Sequence, residues 1–243
     1  RDLPGDMLDL TAIPALSGIH KTPEGWRIGA TTRWSEIIAA DLPSAFDALK
    51  AAARDVGSLQ IQNSGTIAGN LCNASPAADG APPLMVLEAE VELTSALEAR
   101  RMPLTAFLTG VRKTALRKGE IVTAVHIPEH ATTGVSGFAK LGARKYLVIS
   151  IAMIAARLDL TEGRIIKAAI AVGSCSPVAR RLPGFETALI GQDPGKPDDW
   201  QAALRAEIAT GLDPIDDIRA DAGYRDIAVA ELITETIVKL AEV

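Results

Sequence analysis

The feature that most restricts the fold is an uninterrupted apolar run at residues 146–156, with the sequence YLVISIAMIAA. Apolar residues occupy both parities of this run, so a strand built from it must be covered on both faces. A turn is predicted at residues 161–163 and a returning strand at residues 164–172, which together make a β-hairpin. The run is well short of the roughly 20 residues that cross a bilayer, so we interpret it as the centre of a layered domain.

The remaining segments alternate between short strands and short helices, and the predicted class is therefore α+β. Further strands are expected at residues 7–10, 26–31, 90–94, 120–127 and 138–141, with a Pro/Gly-rich connection at residues 20–25. Helices are expected at residues 34–40, 44–54, 82–87, 183–190, 198–210 and 224–241, the second opened by a capping box at Ser44. The polar segment 129–137 divides the chain into two predicted domains, residues 1–130 and 131–243.

Charge and composition exclude several classes of protein. The net charge is -5, which argues against a nucleic-acid surface because phosphate binding draws on clustered Lys and Arg. The chain has two cysteines and three histidines, all scattered, so we expect neither a disulfide framework nor a metal site made by this chain alone. For Cys72 and Cys175 we expect small, partly buried thiols in the reducing environment of the cytoplasm.

The most informative segment is QNSGTIAGNLCNASPAAD, residues 62–79, which combines glycine, asparagine and hydroxyl side chains around small apolar residues. Gly65 and Gly69 are expected to allow positive φ and close approach of the main chain to a ligand. Successive amides in that geometry suit a pyrophosphate, and Asp79 can accept hydrogen bonds from sugar or ribityl hydroxyls. The alternative is an ordinary surface turn in which Asp79 caps the following helix.

Two nucleotide-binding patterns are disfavoured. The segment lacks the strand–GxGxxG–helix order of a Rossmann site. The sequence GQDPGK at residues 191–196 has the wrong spacing for a phosphate-binding P-loop and is followed by Pro197.

Residues 61–79 resemble the second FAD-binding motif of the flavoprotein subunits of the xanthine dehydrogenase and carbon monoxide dehydrogenase family. The family pattern, approximately R-N-x-[GA]-[ST]-[IV]-G-G-N followed by S-P-x-x-D, is matched by QNSGTIAGN and ASPAAD, with Ala68 in place of the first paired glycine. Similarity continues at residues 7–19, 120–128, 138–144, 171–178 and 216–225. The resemblance implies an FAD-binding domain of the vanillyl-alcohol-oxidase-like type, followed by a domain like the C-terminal one of carbon monoxide dehydrogenase flavoproteins.

The resemblance also implies a set of FAD contacts and no catalytic side chain. Thr66, Ile67, Ala68, Gly69 and Asn70 would form the loop at the pyrophosphate and flavin, with Asn73 beside it and Asp79 holding a hydroxyl. Val56 and Gly57 would line the adenine side, Val122 would pack on the cofactor, and Lys140 would lie near the flavin ring. The plainer alternatives are core packing for the two valines and a solvated lysine after a strand for Lys140.

The implied function is that of an FAD-carrying electron-transfer subunit in a heteromeric complex. A large subunit would hold a molybdenum cofactor, and a small subunit would hold [2Fe–2S] clusters that supply electrons to FAD for NAD or another acceptor. A surface near Leu71 and Cys72 would face the cluster subunit. The family's N-terminal motif, similar to A-G-G-T-D-L, does not occur in this sequence, so weak or no FAD binding is expected. The alternatives are a related flavoprotein oxidase or reductase and a non-catalytic assembly or binding protein.

Overall fold

The structure, a computed structural model, describes residues 7–145 and 147–242. Its first part is a five-stranded antiparallel sheet of order β1-β2-β7-β3-β4, with a small two-stranded ribbon, β5-β6, beside it. The strands are β1 (Ile19–Thr22), β2 (Gly25–Gly29), β3 (Glu90–Thr94), β4 (Ala99–Pro103), β5 (Leu108–Gly110), β6 (Lys113–Thr114) and β7 (Ile121–Pro128). The helices are α1 (Trp34–Ala39), α2 (Asp47–Asp55), α3 (Leu59–Gln62), α4 (Ile67–Asn73), α5 (Ala81–Val86) and α6 (Leu104–Phe107).

The second part is a four-stranded sheet of order β11-β10-β9-β8 with three helices. Its strands are β8 (Val135–Leu141), β9 (Ala152–Thr161), β10 (Arg164–Gly173) and β11 (Arg180–Arg181). Its helices are α7 (Pro183–Leu189), α8 (Gln201–Gly211) and α9 (Ala222–Leu240), the last begun by Asp221, whose carboxylate accepts the Tyr224 amide at 2.7 Å. Together the two parts confirm the predicted α+β class. Among the described residues, no helix has the combined length and apolarity needed to span a membrane.

Alternate side chains of β9 point into two different cores, which explains why the apolar run lacks a polar face. Ile154, Ala156 and Leu158 belong to the core shared with α7, α8 and α9, whereas Ala155 faces the core built by the first part of the chain. The larger residues pack under the helices and the alanine lets α5 approach the opposite face. The prediction that this strand is covered on both faces is therefore confirmed for β9, since all of it up to Leu158 is buried.

The predicted strand starts too early, however. In the structure, β9 begins at Ala152. Residues 147–151 form an irregular loop in which Leu147 and Ile149 are each 55% exposed. Leu147 has a φ of 52°, in the left-handed region, which is incompatible with a strand. Residue 146, where the prediction began, lies outside the described residues.

Three other local predictions are wrong. The strand predicted at residues 7–10 is irregular and leads into a 3-10 turn at Leu10–Ala12, because Asp9 accepts the Thr11 amide at 2.9 Å. Residues 20–25, predicted as a connection, contain most of β1. Ser44 does not cap α2: it begins a 3-10 turn, and its hydroxyl donates to the Gly134 carbonyl at 2.7 Å. The 62–79 segment, for which the alternative was an ordinary surface turn, contains all of the helix α4.

Candidate functional site

The segment 62–79 folds around the short helix α4. Thr66 begins the helix, and its hydroxyl accepts the Gly69 amide at 3.1 Å. Ile67 and Leu71, four residues apart, are fully buried, while Gly69 and Cys72 lie on the exposed side. The helix therefore presents a face of small side chains outwards.

The amides of α4 are already engaged within the chain. Ile67 donates to the Thr32 carbonyl at 3.0 Å and Ala68 donates to the Ala30 carbonyl at 3.1 Å. Asn70 donates to the Thr66 carbonyl at 3.1 Å, as the first turn of a helix requires. The expectation that these successive amides form a free concavity for a diphosphate is therefore wrong, because the 30–32 segment takes two of them and Thr66 takes those of Gly69 and Asn70.

Gly65 and Gly80, the residue after the segment, serve close packing and not positive φ. Neither Gly65 nor Gly69 has a positive φ, which corrects the sequence-based expectation. A Cβ at Gly65 would lie 3.0 Å from the Ile61 carbonyl oxygen, and one at Gly80 would lie 2.6 Å from the ring of Trp34. Trp34 is 1% exposed, so these glycines let the segment close over a buried indole.

Asn70 offers a free acceptor beside Asp79. Its Oδ1 atom is buried and has no hydrogen-bond partner among the described residues. A Cβ at Gly80, the residue after Asp79, would lie 2.9 Å from this oxygen. A buried acceptor without a donor costs free energy, so the position is suited to a ligand that brings an N–H or O–H group.

Asp79 and Lys140 form a buried ion pair. The Lys140 ammonium donates to both carboxylate oxygens, at 2.9 and 3.0 Å, and the two side chains are 9% and 12% exposed, respectively for the lysine and the aspartate. The Ser150 hydroxyl donates to Asp79 Oδ1 at 3.3 Å. Burial raises the pKa of Asp79 above its usual value, although the Lys140 charge and the two hydrogen bonds oppose this shift.

This geometry disagrees with both plain interpretations of the pair. Asp79 does not cap α5, since that helix begins after Gly80 without a side-chain cap. Lys140 is not a solvated surface lysine. Two residues selected separately from the resemblance are thus brought together, one from the 62–79 segment and one from β8.

The other candidate residues lie at the edges of this region. Val56 is 9% exposed, and its carbonyl accepts from the Gln62 side chain at 3.2 Å, which ties the end of α2 to α3. Gly57 has a φ of 53°, and a Cβ there would meet Ile61 at 2.7 Å. Val122, 4% exposed, packs within the core on β7.

Asn73 lies at the end of α4, and the predicted partner surface is wrong at Leu71. The carbonyl and side-chain oxygens of Asn73 accept from Arg112, so this asparagine is held at the exposed end of α4. Leu71 is fully buried in the core and cannot face a partner, because it shares the inner side of α4 with Ile67. Cys72 remains exposed.

Three residues important to this geometry were missed by sequence reasoning. Trp34 and Ser150 lie in segments that looked like ordinary core, and nothing in their local pattern marks them. Arg225 is 2% exposed and donates to the Ile151 carbonyl, one residue from Ser150. The similarity at residues 216–225 was the only available signal for it.

Comparisons with known proteins agree with this architecture. Residues 1–130 match the family described as the FAD binding domain in molybdopterin dehydrogenase, and residues 138–240 match the CO dehydrogenase flavoprotein C-terminal domain. Among solved structures, a Cu,Mo-CO dehydrogenase in its cyanide-inactivated form superposes with a TM-score of 0.88 at 26% identity, over 96% of this chain and 81% of that one. The fold and site therefore define a flavin-binding oxidoreductase subunit.

Two curated relatives narrow the family assignment. The nicotine 6-hydroxylase medium subunit of Paenarthrobacter nicotinovorans is 31% identical over 97% of this chain and 82% of its own length. The glyceraldehyde dehydrogenase medium chain of Sulfolobus acidocaldarius is 28% identical over 98% of this chain and 84% of its own length. The chain belongs to the FAD-binding medium subunits of the molybdenum hydroxylase family, and its cofactor is FAD.

The described residues fit a flavin dinucleotide by their side chains. The unpartnered Asn70 Oδ1 needs a donor, and Asp79 can accept hydroxyl protons with lone pairs that Lys140 and Ser150 leave free. The exposed Gly69 places no side chain over the outer face of α4. What the structure does not offer is a row of free amides at residues 67–70.

Proposed function

We propose that this chain carries FAD as the electron-transfer subunit of a molybdenum-containing hydroxylase or dehydrogenase. Electrons would come from [2Fe–2S] clusters on a small subunit and leave to an acceptor such as NAD or a quinone, while a large subunit would hold the molybdenum cofactor. Relatives named as medium subunits or medium chains support such a heteromeric assembly. The observation that carries the proposal is the buried Asp79–Lys140 pair beside the orphaned Asn70 oxygen.

The proposed binding residues divide by role. Asp79 accepts from a cofactor hydroxyl, Lys140 holds that carboxylate and adds a positive charge, and Asn70 supplies a further acceptor. The wall formed by α4 is shaped by Thr66, Gly69 and Asn73 and is supported from the inner side by the buried Ile67 and Ala68. The apolar side is closed by Val56, Gly57 and Val122. We assign Asp79 to the domain of residues 1–130 and Lys140 to that of residues 131–243, so the cofactor would sit where the two meet.

When bound, FAD supplies the two-electron chemistry through its isoalloxazine ring. The chain's own residues then have three tasks. Asp79 and Asn70 orient the nucleotide. Trp34, packed against Gly65 and Gly80, holds the supporting segment in place and excludes water from beneath it. The outer face of α4 carries only small side chains. That face, which contains Gly69 and Cys72, is our proposed surface towards the cluster subunit, because short side chains permit close approach of two redox centres.

FAD titration of the full chain tests this proposal. The titration should extend to about 1 mM FAD, where a binding free energy of about 4 kcal/mol is still visible. Loss of a hydrogen bond to a charged group costs about 1.5–3 kcal/mol, so Asp79→Asn should weaken binding on the order of ten- to a hundred-fold.

Asp198→Asn is the matched control, since Asp198 is exposed in the turn before α8. Circular dichroism should show that both variants fold. If the wild-type chain neither quenches flavin fluorescence nor gains thermal stability with FAD, the proposal fails. If Asp79→Asn binds FAD as the wild type does, the assigned site is wrong.

A further inference from the structure

Ser150 is a buried hydroxyl to which neither the resemblance nor the comparisons give a role. It is 2% exposed although it lies in the 147–151 loop, in which Leu147 and Ile149 reach solvent. Its hydroxyl donates to Asp79 Oδ1 at 3.3 Å, and the Met153 sulfur lies 3.8 Å away. A hydroxyl aimed at a buried carboxylate favours the ionised form of that carboxylate.

The backbone next to Ser150 is anchored to β8. The Ile151 amide donates to the Leu141 carbonyl at 2.8 Å, so the residue after Ser150 is bound to the residue after Lys140, while Lys140 itself pairs with Met153 on β9. The Ile151 carbonyl accepts from the buried Arg225 guanidinium on α9. Both donors to Asp79 therefore come from one rigid corner of the second sheet.

We propose that Ser150 is a positioning residue for FAD binding, which together with Lys140 holds the Asp79 carboxylate ionised and aimed at the cofactor hydroxyls. The proposal rests on the proposed function and adds a residue to it. Lys140 occupies one side of the carboxylate by contacting both oxygens, and Ser150 adds a second contact to Oδ1. With both in place, the carboxylate cannot rotate without breaking a hydrogen bond.

The charges around Asp79 determine how replacing Ser150 would change the pH dependence of FAD binding. Among the described residues, Lys140 on β8 favours the ionised carboxylate, whereas burial and the negative Asp55 at the end of α2 favour the neutral acid. The pKa of Asp79 is already raised, and the Ser150 hydrogen bond opposes that shift. Ser150→Ala should therefore raise this pKa further, and binding that needs the carboxylate should fail at a higher pH.

The test is FAD affinity of the full chain measured between about pH 5 and pH 8 by flavin fluorescence. For Ser150→Ala we expect an affinity loss of about ten-fold at neutral pH. We also expect the pH below which FAD affinity falls, the acidic limb of the affinity–pH curve, to move upwards. Ser150→Thr should restore both, because threonine retains the hydroxyl. Should Ser150→Ala fail to fold, Ser150→Cys keeps the volume with a weaker donor and should give a smaller shift in the same direction.

Ser136→Ala is the matched control. Ser136 is also a buried serine, but its hydroxyl donates to the Ala45 carbonyl at 2.8 Å and has no contact with Asp79. It should leave the pH limb unchanged even where it lowers stability. A wild-type chain that binds FAD together with a Ser150→Ala variant of identical affinity and pH limb overturns the positioning role alone. A wild-type chain that binds no FAD at any pH overturns both this role and the proposed function.

Discussion

Arg225 should be the largest single polar contributor to the stability of the second sheet and its loops. Its guanidinium donates to the carbonyls of Ile151, Ser174 and Ile215, the last at 3.1 Å, and to Asp217 Oδ1 at 2.7 Å. Arg225→Met keeps the length of the side chain but removes all four contacts. Asp217 is 19% exposed and stays bound by Arg219, so its loss of Arg225 contributes little, whereas each carbonyl that loses its donor costs about 1–3 kcal/mol when buried. We therefore expect Arg225→Met to lower the free energy of unfolding by about 3–5 kcal/mol.

The chain provides its own control, since Arg219 binds the other oxygen of the same carboxylate at 2.6 Å but is 35% exposed. An ion pair of that exposure contributes about 0–1 kcal/mol, so Arg219→Met should be nearly neutral. Urea unfolding followed by circular dichroism and tryptophan fluorescence measures both variants. Equal losses in the two variants, or a loss below about 1 kcal/mol for Arg225→Met, would refute the reasoning that burial of the guanidinium sets the cost.

Two further predictions concern Glu92 and Cys72. Burial raises the pKa of Glu92, but hydrogen bonds from Thr123 and His126 and the Arg27 charge outweigh it and hold the pKa at about 2. Because the folded pKa is depressed, the stabilisation is present above the usual value of 4.5 and is lost as the pH falls towards 2. After allowance for solvent screening, Glu92→Gln should lower the free energy of unfolding by about 1–2 kcal/mol at pH 7 and by little near pH 2. Urea unfolding at both pH values measures this difference, and a loss independent of pH would contradict it. For Cys72, replacement by Asp should slow cluster-to-flavin electron transfer in the assembled complex, whereas Cys72→Ser should not; unchanged stopped-flow reduction of the Asp variant would exclude this surface.

The sequence predicted those helices and strands whose apolar patterning and turn residues lie within the element itself. The β9–β10 hairpin, the helices α7 to α9 and the α+β class follow from apolar patterning and turn residues, which act over a few neighbours. The sequence did not predict the start of β9, because residues 147–151 are as apolar as the strand itself. Only tertiary contacts distinguish them: Ile151 is anchored to Leu141, and the strand ladder begins one residue later.

The candidate site shows the same limit more sharply. Composition indicated a ligand loop at residues 62–79, but the residue types alone did not show that Thr32 and Ala30 take two of its amides. Gly65 and Gly69 were expected to have positive φ and do not, and the need for a glycine at position 80 comes from the ring of Trp34, which lies 46 positions earlier in the chain. Contacts over such separations leave no local pattern, so the mode of binding could not be read from the segment itself.

The Asp79–Lys140 pair is better explained by ligand binding than by stability. Buried ion pairs often contribute little net stability, because desolvation offsets their attraction, whereas removing one partner leaves an uncompensated charge and costs about 3–5 kcal/mol. The raised pKa of Asp79 shows that desolvation outweighs its contacts. We therefore expect Lys140→Met alone to destabilise the chain strongly, and the double variant Asp79→Leu with Lys140→Met to unfold within about 1 kcal/mol of the wild type while binding no FAD. Urea unfolding and flavin fluorescence measure the two properties separately. A double variant as unstable as the single one would mean that the pair is needed for the fold, and the pair would no longer be evidence for a cofactor site.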